Sequence, residues 1–177
     1  MNQKFINAKI CLLGMFGVGK TSLVHRFVYN RFDESYLSTI GVTVSQKILP
    51  PIQSESGIFQ QLKFLIWDIE GTDDNVSSRN NYYIGSAGAM IVADLNRHET
   101  IKRIPRIIDA FKKNAPEAKL VLIGNKVDLM DDVSTTKSFA DLQKYASNLS
   151  SPLLLSSAKS GENVENSFLQ LAELLLK

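Results

Sequence analysis

The sequence predicts a three-layer α/β fold, in which a six-stranded, mostly parallel sheet lies between two layers of helices. Short apolar runs alternate along the chain with longer segments of helical periodicity, the order expected of parallel strands joined by crossover helices. The chain has 177 residues, of which 44% are hydrophobic, and this suits one core of that size. A glycine-rich turn also stands between the first strand and the first helix. We therefore expect a single domain over residues 1–177.

The strands are predicted from six short apolar runs. Each run is too short for a typical helix and is followed by turn-forming residues or a helical segment. The runs are Lys9–Leu13, Val42–Leu49, Leu62–Trp67, Ala89–Ala93, Leu120–Ile123 and Leu153–Leu155. The segment from Leu49 to Gly57 is rich in turn formers, so it predicts the tip of a long hairpin.

Two helices carry a clear apolar stripe at the spacing of one helix face. The last helix presents Val164, Phe168, Leu171 and Leu175. An earlier helix presents Ile101, Ile104, Ile108 and Phe111. Pro105 predicts that this earlier helix begins later than Thr100, because proline is tolerated only in the first turn.

Composition and charge exclude several function classes. The chain has 20 Lys and Arg against 18 Asp and Glu, so no overall field favours nucleic acid as a partner. Its single cysteine, Cys11, lies in an apolar run, which predicts a buried structural thiol and a reducing, cytoplasmic location. No apolar stretch has the length of a membrane span. Asn2 is incompatible with N-myristoylation and the segment Leu174–Lys177 has no cysteine for prenylation, so we expect no membrane anchor in this chain.

The turn between the first strand and the first helix carries a phosphate-binding motif. It reads Gly14-Met15-Phe16-Gly17-Val18-Gly19-Lys20-Thr21, with Ser22 directly after it. Glycines let backbone N–H groups point at a bound phosphate, and the start of a helix adds a partial positive charge. Lys20 is expected to reach the β- and γ-phosphates of a nucleotide, and the Thr21 hydroxyl to bind Mg²⁺. A chance glycine-rich turn is the alternative, and the flanking strand and helix argue against it.

A second motif bears on the choice of base. Asn125-Lys126-Val127-Asp128 follows the predicted strand Leu120–Ile123, so it lies at the carboxyl end of the sheet, where open α/β folds bind ligands. The carboxylate of Asp128 can accept from two adjacent N–H donors, which guanine presents and adenine does not. On its own this four-residue motif is a weak match, for which a polar turn after a strand is the alternative.

Four further segments stand at characteristic distances along the chain from these two motifs. They are residues 32–42, in which Thr39 follows Thr21 by eighteen residues, and the segments Trp67–Gly71, Tyr82–Ser86 and Ser157–Lys159. Taken together, the motifs resemble the Ras superfamily of small GTPases, and Rab-type members most closely, over essentially the whole chain. The resemblance implies a P-loop NTPase fold, binding of GTP or GDP with Mg²⁺, and a role in signal transduction or vesicle trafficking.

The resemblance assigns roles to particular residues. It implies that Phe32 packs against guanine, that Tyr36 closes over the phosphates, and that the backbone N–H of Gly71 senses the γ-phosphate. It also implies that a backbone N–H in the loop of Ser157, Ala158 and Lys159 binds the guanine carbonyl. The other implied base-binding residues are Asn125, Lys126 and Asp128. The implied phosphate-binding residues are Gly14, Phe16, Gly17, Val18, Gly19, Lys20, Thr21 and Ser22. The implied Mg²⁺ ligands are Thr21, Thr39 and Asp68. The residues implied in catalysis are Lys20, Thr39, Gly71 and Thr72.

Three positions depart from the family pattern. Thr72 stands where the family has the glutamine that orients the attacking water, and a threonine hydroxyl is too short to take over that role from the same backbone. Phe16 stands where the family has a small residue, and its ring would crowd the site of an activating protein's arginine. Glu70 adds negative charge close to the phosphates. Asp73, Asp74 and Arg79 are nearby candidates to replace the missing glutamine, and a solvated loop side chain is the favoured alternative for each.

Two functional hypotheses follow from these departures. The chain is either a switch that hydrolyses GTP with a noncanonical residue or a partner, or a binding module held in its GTP form. An adenine-using P-loop ATPase or kinase is a third reading, which the segment Asn125–Asp128 disfavours. In either of the first two cases we expect a monomer whose effector and regulatory proteins bind through Phe32–Val42 and Ile69–Tyr83.

Overall fold

A single sheet organises the protein in the computed structural model, which describes residues 4–33, 38–53, 57, 59–71 and 80–177. Its strands are β1 (Lys4–Leu13), β2 (Val42–Ile48), β3 (Ile52–Gln53), β4 (Phe59–Ile69), β5 (Gly88–Asp94), β6 (Lys119–Asn125) and β7 (Leu153–Ser156). The order across the sheet is β2-β4-β1-β5-β6-β7, with β3 paired to β4. β4, β1, β5, β6 and β7 are parallel, whereas β2 and β3 run antiparallel to β4. The mostly parallel sheet is confirmed, with one more strand than the six expected.

The extra strand lies in the predicted hairpin. Ile52 pairs with Gln60 and Gln53 pairs with Phe59, so the chain from β2 turns at Pro50 and Pro51 and pairs with β4 a second time. Two residues with neighbouring prolines give too short an apolar run to be recognised as a strand. The hairpin therefore exists, and its residues 54–56 and 58 lie outside the described part of the chain.

Six α-helices are described, and they cover both faces of the sheet. They are α1 (Lys20–Tyr29), α2 (Asn80–Tyr83), α3 (His98–Lys102), α4 (Ile104–Lys112), α5 (Lys137–Asn148) and α6 (Val164–Leu176). α1 and α6 pack on one face, where Phe27 and Phe168 stack with ring centroids 3.8 Å apart. α3, α4 and α5 contribute to the core on the other face. The three-layer arrangement is confirmed, and β5, whose residues are all buried, lies in its middle.

The helix that carries Ile104, Ile108 and Phe111 begins later than Thr100, as predicted, but a separate short helix precedes it. A short helix, α3, already begins at His98, and a new helix, α4, begins at Ile104 with Pro105 in its first turn. The buried Thr100 hydroxyl donates to the Arg97 carbonyl at 2.8 Å and accepts from the Asp94 amide at 3.0 Å, and these bonds hold α3 to the end of β5. Pro105 thus lies in the first turn of α4, where its missing N–H needs no partner within the helix.

The described helices include none that combines the length and the apolar character needed to cross a lipid bilayer. The apolar stripe predicted for the last helix is confirmed, since Val164, Phe168 and Leu171 are buried and Leu175, partly buried, packs against the same core. Cys11 is also buried, as its position in the first strand predicted.

Candidate functional site

One cavity opens at the carboxyl ends of the parallel strands. Its volume is about 290 Å³. It lies between the start of α1, the segment after β6 and the loop after β7, which the parallel topology brings to the same edge of the sheet. Its lining residues are Gly17, Gly19, Thr21, Ser22, His25, Phe32, Asp33, Asn125, Lys126, Asp128, Leu129, Ala158 and Lys159. The sequence-predicted residues of the base and phosphate motifs thus meet in one place.

The loop between β1 and α1 surrounds the side chain of Lys20. Lys20 is only 6% exposed, and its Nζ donates to the carbonyls of Gly14 and Met15 at 3.0 Å each. Gly19 precedes α1 with a φ of 99°, and an added Cβ would lie 2.3 Å from Nδ2 of Asn125. Only glycine satisfies both the backbone angle and this close approach. The N–H groups of the first turn of α1 therefore remain directed at the cavity.

A smaller pocket of about 20 Å³ adjoins the phosphate-binding loop. Its lining residues are Phe16, Gly17, Gly19, Lys20, Thr21, Ser22, Thr39 and Gly71. Gly71 lies so close to the loop that an added Cβ would be 2.4 Å from the backbone nitrogen of Phe16. The segment after β4 and the segment before β2 therefore reach the phosphate-binding loop together.

Three oxygen-bearing side chains converge beside this pocket. The Thr21 hydroxyl donates to Oδ2 of Asp68 at 2.5 Å and lies 2.6 Å from the Thr39 hydroxyl, which is 3.5 Å from the same carboxylate oxygen. Oδ1 of Asp68 is buried and accepts no hydrogen bond from any described residue. Burial raises the pKa of Asp68, against the lowering effect of the Thr21 hydrogen bond and of the nearby charge of Lys20. A buried carboxylate oxygen that accepts no hydrogen bond from the described residues, beside two hydroxyls, suits a hard cation such as Mg²⁺.

Asn125, at the end of β6, connects three segments around the cavity: its own strand, the phosphate-binding loop and the loop after β7. Its Nδ2 donates to the carbonyl of Val18 at 2.8 Å. Its Oδ1 accepts from the Ser156 hydroxyl at 3.2 Å and from the Ala158 amide at 3.3 Å. Asn125 is 1% exposed, so these bonds replace water at every polar atom of the amide. The residue thereby positions the phosphate-binding loop relative to the strands β6 and β7.

Asp128 is held in place by the loop after β7. The Ser157 hydroxyl donates to its Oδ1 at 2.5 Å and accepts in turn from the amide of Ser160 at 3.0 Å. The exposed carboxylate therefore has a fixed direction while it keeps acceptor sites for a ligand. Lys126, with a φ of 70°, pairs its Nζ with Oδ2 of the buried Asp94 at 2.7 Å, so the stem of this lysine lies along the cavity wall.

Sequence reasoning missed Arg97, which lies beneath the phosphate-binding loop. Its guanidinium donates to the Phe16 carbonyl at 2.7 Å, and its Nε is 3.4 Å from the carboxylate of Asp94. Arg97 follows β5 in a loop that carries no motif, so nothing in the sequence pointed to this contact. His25 was also missed as a lining residue, although it stands one helical turn after Thr21 and so on the same face of α1.

Several predicted residues have other positions or lie outside the described residues. The carboxylate of Glu70, expected close to the phosphates, accepts a hydrogen bond from the amide of Gly41 at 3.0 Å. Val18 and Ser157 do not line the cavity themselves but hydrogen-bond to its lining residues Asn125 and Asp128. Gly14 accepts from Lys20, which lines the smaller pocket. The predictions for Tyr36, Thr72, Asp73, Asp74 and Arg79 fall on residues outside the described part of the chain.

A mostly parallel sheet with a phosphate-binding loop between its first strand and first helix defines the P-loop NTPase fold. The family model described as Ras family matches residues 9–177. Ras-related protein Rab-31 of Rattus norvegicus is 35% identical over 161 residues, which cover 90% of this chain and 78% of that protein. Ras-related protein Rab-22A of Mus musculus is 34% identical over 165 residues, covering 93% and 81% of the two chains. Ras-related protein Rab-4A of Danio rerio is 34% identical over 169 residues, covering 95% and 76%.

The chain therefore belongs to the Ras family, and its relatives are of the Rab type. At the level of the family it is a GTP-binding molecular switch and a GTPase. Members of the family bind GTP and GDP, generally with Mg²⁺, and act through effector and regulatory proteins.

Proposed function

We propose that this single domain is a guanine-nucleotide switch whose own rate of GTP hydrolysis is low, so that its GTP state is long-lived unless a partner completes the catalytic site. One observation carries the nucleotide part of the proposal: the phosphate, base and switch motifs, far apart in sequence, line one cavity and one adjoining pocket. The low rate rests on the identity of residue 72 and on the position of Phe16.

Asp128 is the proposed determinant of guanine specificity. Its carboxylate borders the cavity and is directed by Ser157, and it can accept from the two adjacent N–H groups of guanine. Phe32, partly buried at the same end, supplies an apolar surface for the base. Ala158 and Lys159 complete this end of the cavity with the backbone of the loop after β7.

Mg²⁺ would be held by Thr21, Thr39 and Asp68, whose oxygens converge at distances of 2.5 to 3.5 Å. When bound, the ion would neutralise charge on the β- and γ-phosphates. The buried Oδ1 of Asp68 is the acceptor that a cation or a water bound to it would satisfy. Lys20 binds the phosphates in this proposal, after exchanging its two carbonyl partners for phosphate oxygens.

The proposed low rate follows from the replacement of the family's water-orienting glutamine by Thr72. Threonine has no side-chain amide to hold a water in line with the γ-phosphate, and Phe16, 44% exposed, borders the pocket shared by Thr39 and Gly71. A water-orienting glutamine and a partner's arginine together contribute roughly 10³- to 10⁵-fold to the rate in this class of enzyme. The same two residues favour the second candidate function, a regulatory module that stays bound to GTP.

The proposed partner surfaces are Phe32–Val42 and Ile69–Tyr83. Ile40 supports the first of these, since its side chain is 88% exposed beside the pocket residue Thr39. Thr39 and Gly71 would contact the γ-phosphate only in the GTP state, and partners would read the resulting order of both segments. We further propose a monomer in a cytoplasmic setting, acting in vesicle traffic as the Rab-type relatives suggest.

A single-turnover assay tests this function. Protein loaded with GTP and Mg²⁺ is sampled over time, and the ratio of GTP to GDP is measured by chromatography. We expect GTP to persist for hours in the wild type, and Thr72→Gln or Phe16→Gly to shorten its lifetime at least tenfold. Thr135→Gln, in the exposed loop before α5, is the matched control and should leave the rate unchanged.

The outcomes separate the candidate functions. Rapid turnover by the wild type would overturn the argument from Thr72 and Phe16, and Asp73 would then be the first residue to mutate. No hydrolysis by any variant would favour the GTP-bound regulatory module. Loading of ATP in preference to GTP, measured by competition in the same assay, would refute guanine specificity.

A further inference from the structure

The carboxylate of Glu70 and the backbone of Gly41 form a two-bond contact between the segments that enter the phosphate end of the site. The Glu70 amide donates to the Gly41 carbonyl at 2.9 Å. The Gly41 amide donates to Oε2 of Glu70 at 3.0 Å. Residue 70 therefore satisfies both backbone groups of Gly41, one through its own backbone and one through its side chain.

This contact lengthens the β2–β4 ladder beyond its last backbone pair. Val42 and Ile69 are the terminal partners of the two antiparallel strands, so Gly41 and Glu70 stand one position further out. At every second position of an antiparallel ladder, the two opposite residues exchange two backbone hydrogen bonds. Here the carboxylate of Glu70 replaces the second backbone acceptor. A side chain without an acceptor at position 70 would leave the Gly41 amide without this bond.

The segment that the contact holds has little packing of its own. Ile40 points outward, with 88% of its side chain exposed, and Gly41 has a φ of 74°. The Thr39 hydroxyl at one end and the two bonds of Gly41 at the other connect this stretch to Thr21, Asp68 and Glu70. Loss of the Gly41 bond should therefore increase the motion of Thr39 relative to Asp68.

We propose that Glu70 is a positioning residue that holds Thr39 beside Asp68 without help from a γ-phosphate. The inference rests on the proposed function for its consequence, since Thr39 and Asp68 are the proposed Mg²⁺ ligands. The contact uses protein atoms alone, so it does not need a γ-phosphate in order to form. In this proposal Glu70 keeps Thr39 beside Asp68 in the GDP state as well, which slows the release of GDP and narrows the structural difference between the GDP and GTP states.

Two measurements test the positioning role. Hydrogen exchange at the Gly41 amide is followed by NMR in the GDP-loaded protein. Release of a fluorescent GDP analogue is measured in excess Mg²⁺ and again in excess EDTA. The variants are Glu70→Ala and Glu70→Gln, with Glu117→Ala as the matched control, since Glu117 is exposed in the loop between α4 and β6 at the far end of the sheet.

We expect Glu70→Ala to release GDP about tenfold faster in Mg²⁺, the factor given by loss of one charge-assisted hydrogen bond. The Gly41 amide should exchange faster to a similar degree. Glu70→Gln keeps an uncharged acceptor, so its GDP release rate and its Gly41 exchange rate should lie between those of the wild type and Glu70→Ala. Glu117→Ala should match the wild type in both rates. In EDTA the difference between Glu70→Ala and wild type should shrink to less than about twofold, because the metal ligands then no longer contribute.

A double variant shows whether Glu70 acts through Thr39. In a Thr39→Ala background, Glu70→Ala should change the release rate by less than about twofold. Equal release rates in all single variants, or unchanged exchange at Gly41, would overturn the positioning role. If the wild type fails to bind labelled GDP, the proposed function fails, whereas exchange at the Gly41 amide in the nucleotide-free wild type and Glu70→Ala still decides whether the contact holds this segment. Melting curves of each variant show that faster exchange does not reflect unfolding.

Discussion

The side-chain amide of Asn125 donates a hydrogen bond to the carbonyl of Val18 at 2.8 Å, and so connects the end of β6 to the phosphate-binding loop 107 residues away in the sequence. The same side chain accepts from Ser156 and Ala158 at the end of β7. One buried amide thus sets the relative positions of the base and phosphate ends of the cavity. Its effect on stability and on binding can be measured separately.

Substitution of Asn125 by alanine is expected to lower the free energy of unfolding by about 2 to 3 kcal/mol, because buried donors and acceptors would lose their partner. Urea denaturation of the nucleotide-free protein provides the measurement. Asn148→Ala, at the exposed end of α5, should change the unfolding free energy by less than about 0.5 kcal/mol. A change at Asn125 no larger than at Asn148 would contradict the structural role.

Ser157→Ala is expected to weaken GDP binding about tenfold, since it removes the donor that directs the Asp128 carboxylate at 2.5 Å. Isothermal titration of GDP checks this value. Ser147→Ala, exposed on α5, is the matched control. A tenfold loss in both variants would indicate a general loss of folded protein, whereas no loss in Ser157→Ala would show that Asp128 needs no fixed direction.

Arg97→Ala is expected to weaken GDP binding roughly two- to tenfold. The variant removes the bond to the Phe16 carbonyl and one of the two cations that face the buried Asp94. Arg97→Lys keeps the positive charge but loses the planar guanidinium, so its affinity for GDP should lie between those of the wild type and Arg97→Ala. Arg106→Ala, exposed on α4, should bind GDP as the wild type does. Equal affinities in all four proteins would assign the Arg97 contact to stability alone.

Cys11 is expected to react slowly with thiol reagents in the folded protein. Burial raises the pKa of its thiol, an effect that outweighs the lowering by the Ser86 hydrogen bond and by the charge of Lys9. A raised pKa means a smaller thiolate fraction at pH 8 than in the unfolded chain. Labelling with iodoacetamide at pH 8 should therefore be complete in denaturant and slow without it.

An exposed cysteine serves as the control for this experiment. Ser134→Cys introduces a second thiol in the exposed loop before α5, and it should react at the rate of a free cysteine in the folded protein. Equal native rates at Cys11 and position 134 would show that the first strand is accessible to solvent.

Much of the fold could be predicted because its signals are local. The apolar runs Leu120–Ile123 and Leu153–Leu155 became strands with one or two residues added at their ends. The stripe of the last helix is buried as its spacing required. The short strand β3 and the short helix α3 were not predicted, because two residues of strand and one turn of helix are too short for a periodic signal. They depend on contacts with β4 and with the end of β5.

The sequence by itself determined the order of strands and helices, the position of the phosphate-binding loop at the start of α1 and the residue types near the cavity, because periodicity and motif spacing are properties of the chain. The roles expected of Tyr36 and Thr72 remain predictions from that pattern. Only the tertiary structure decided which side chains meet. The contacts of Asn125 with Val18, of Arg97 with Phe16 and of Glu70 with Gly41 depend on strand register and loop geometry. A hydrogen bond is sensitive to shifts of a few tenths of an ångström, and motif spacing alone does not encode such positions.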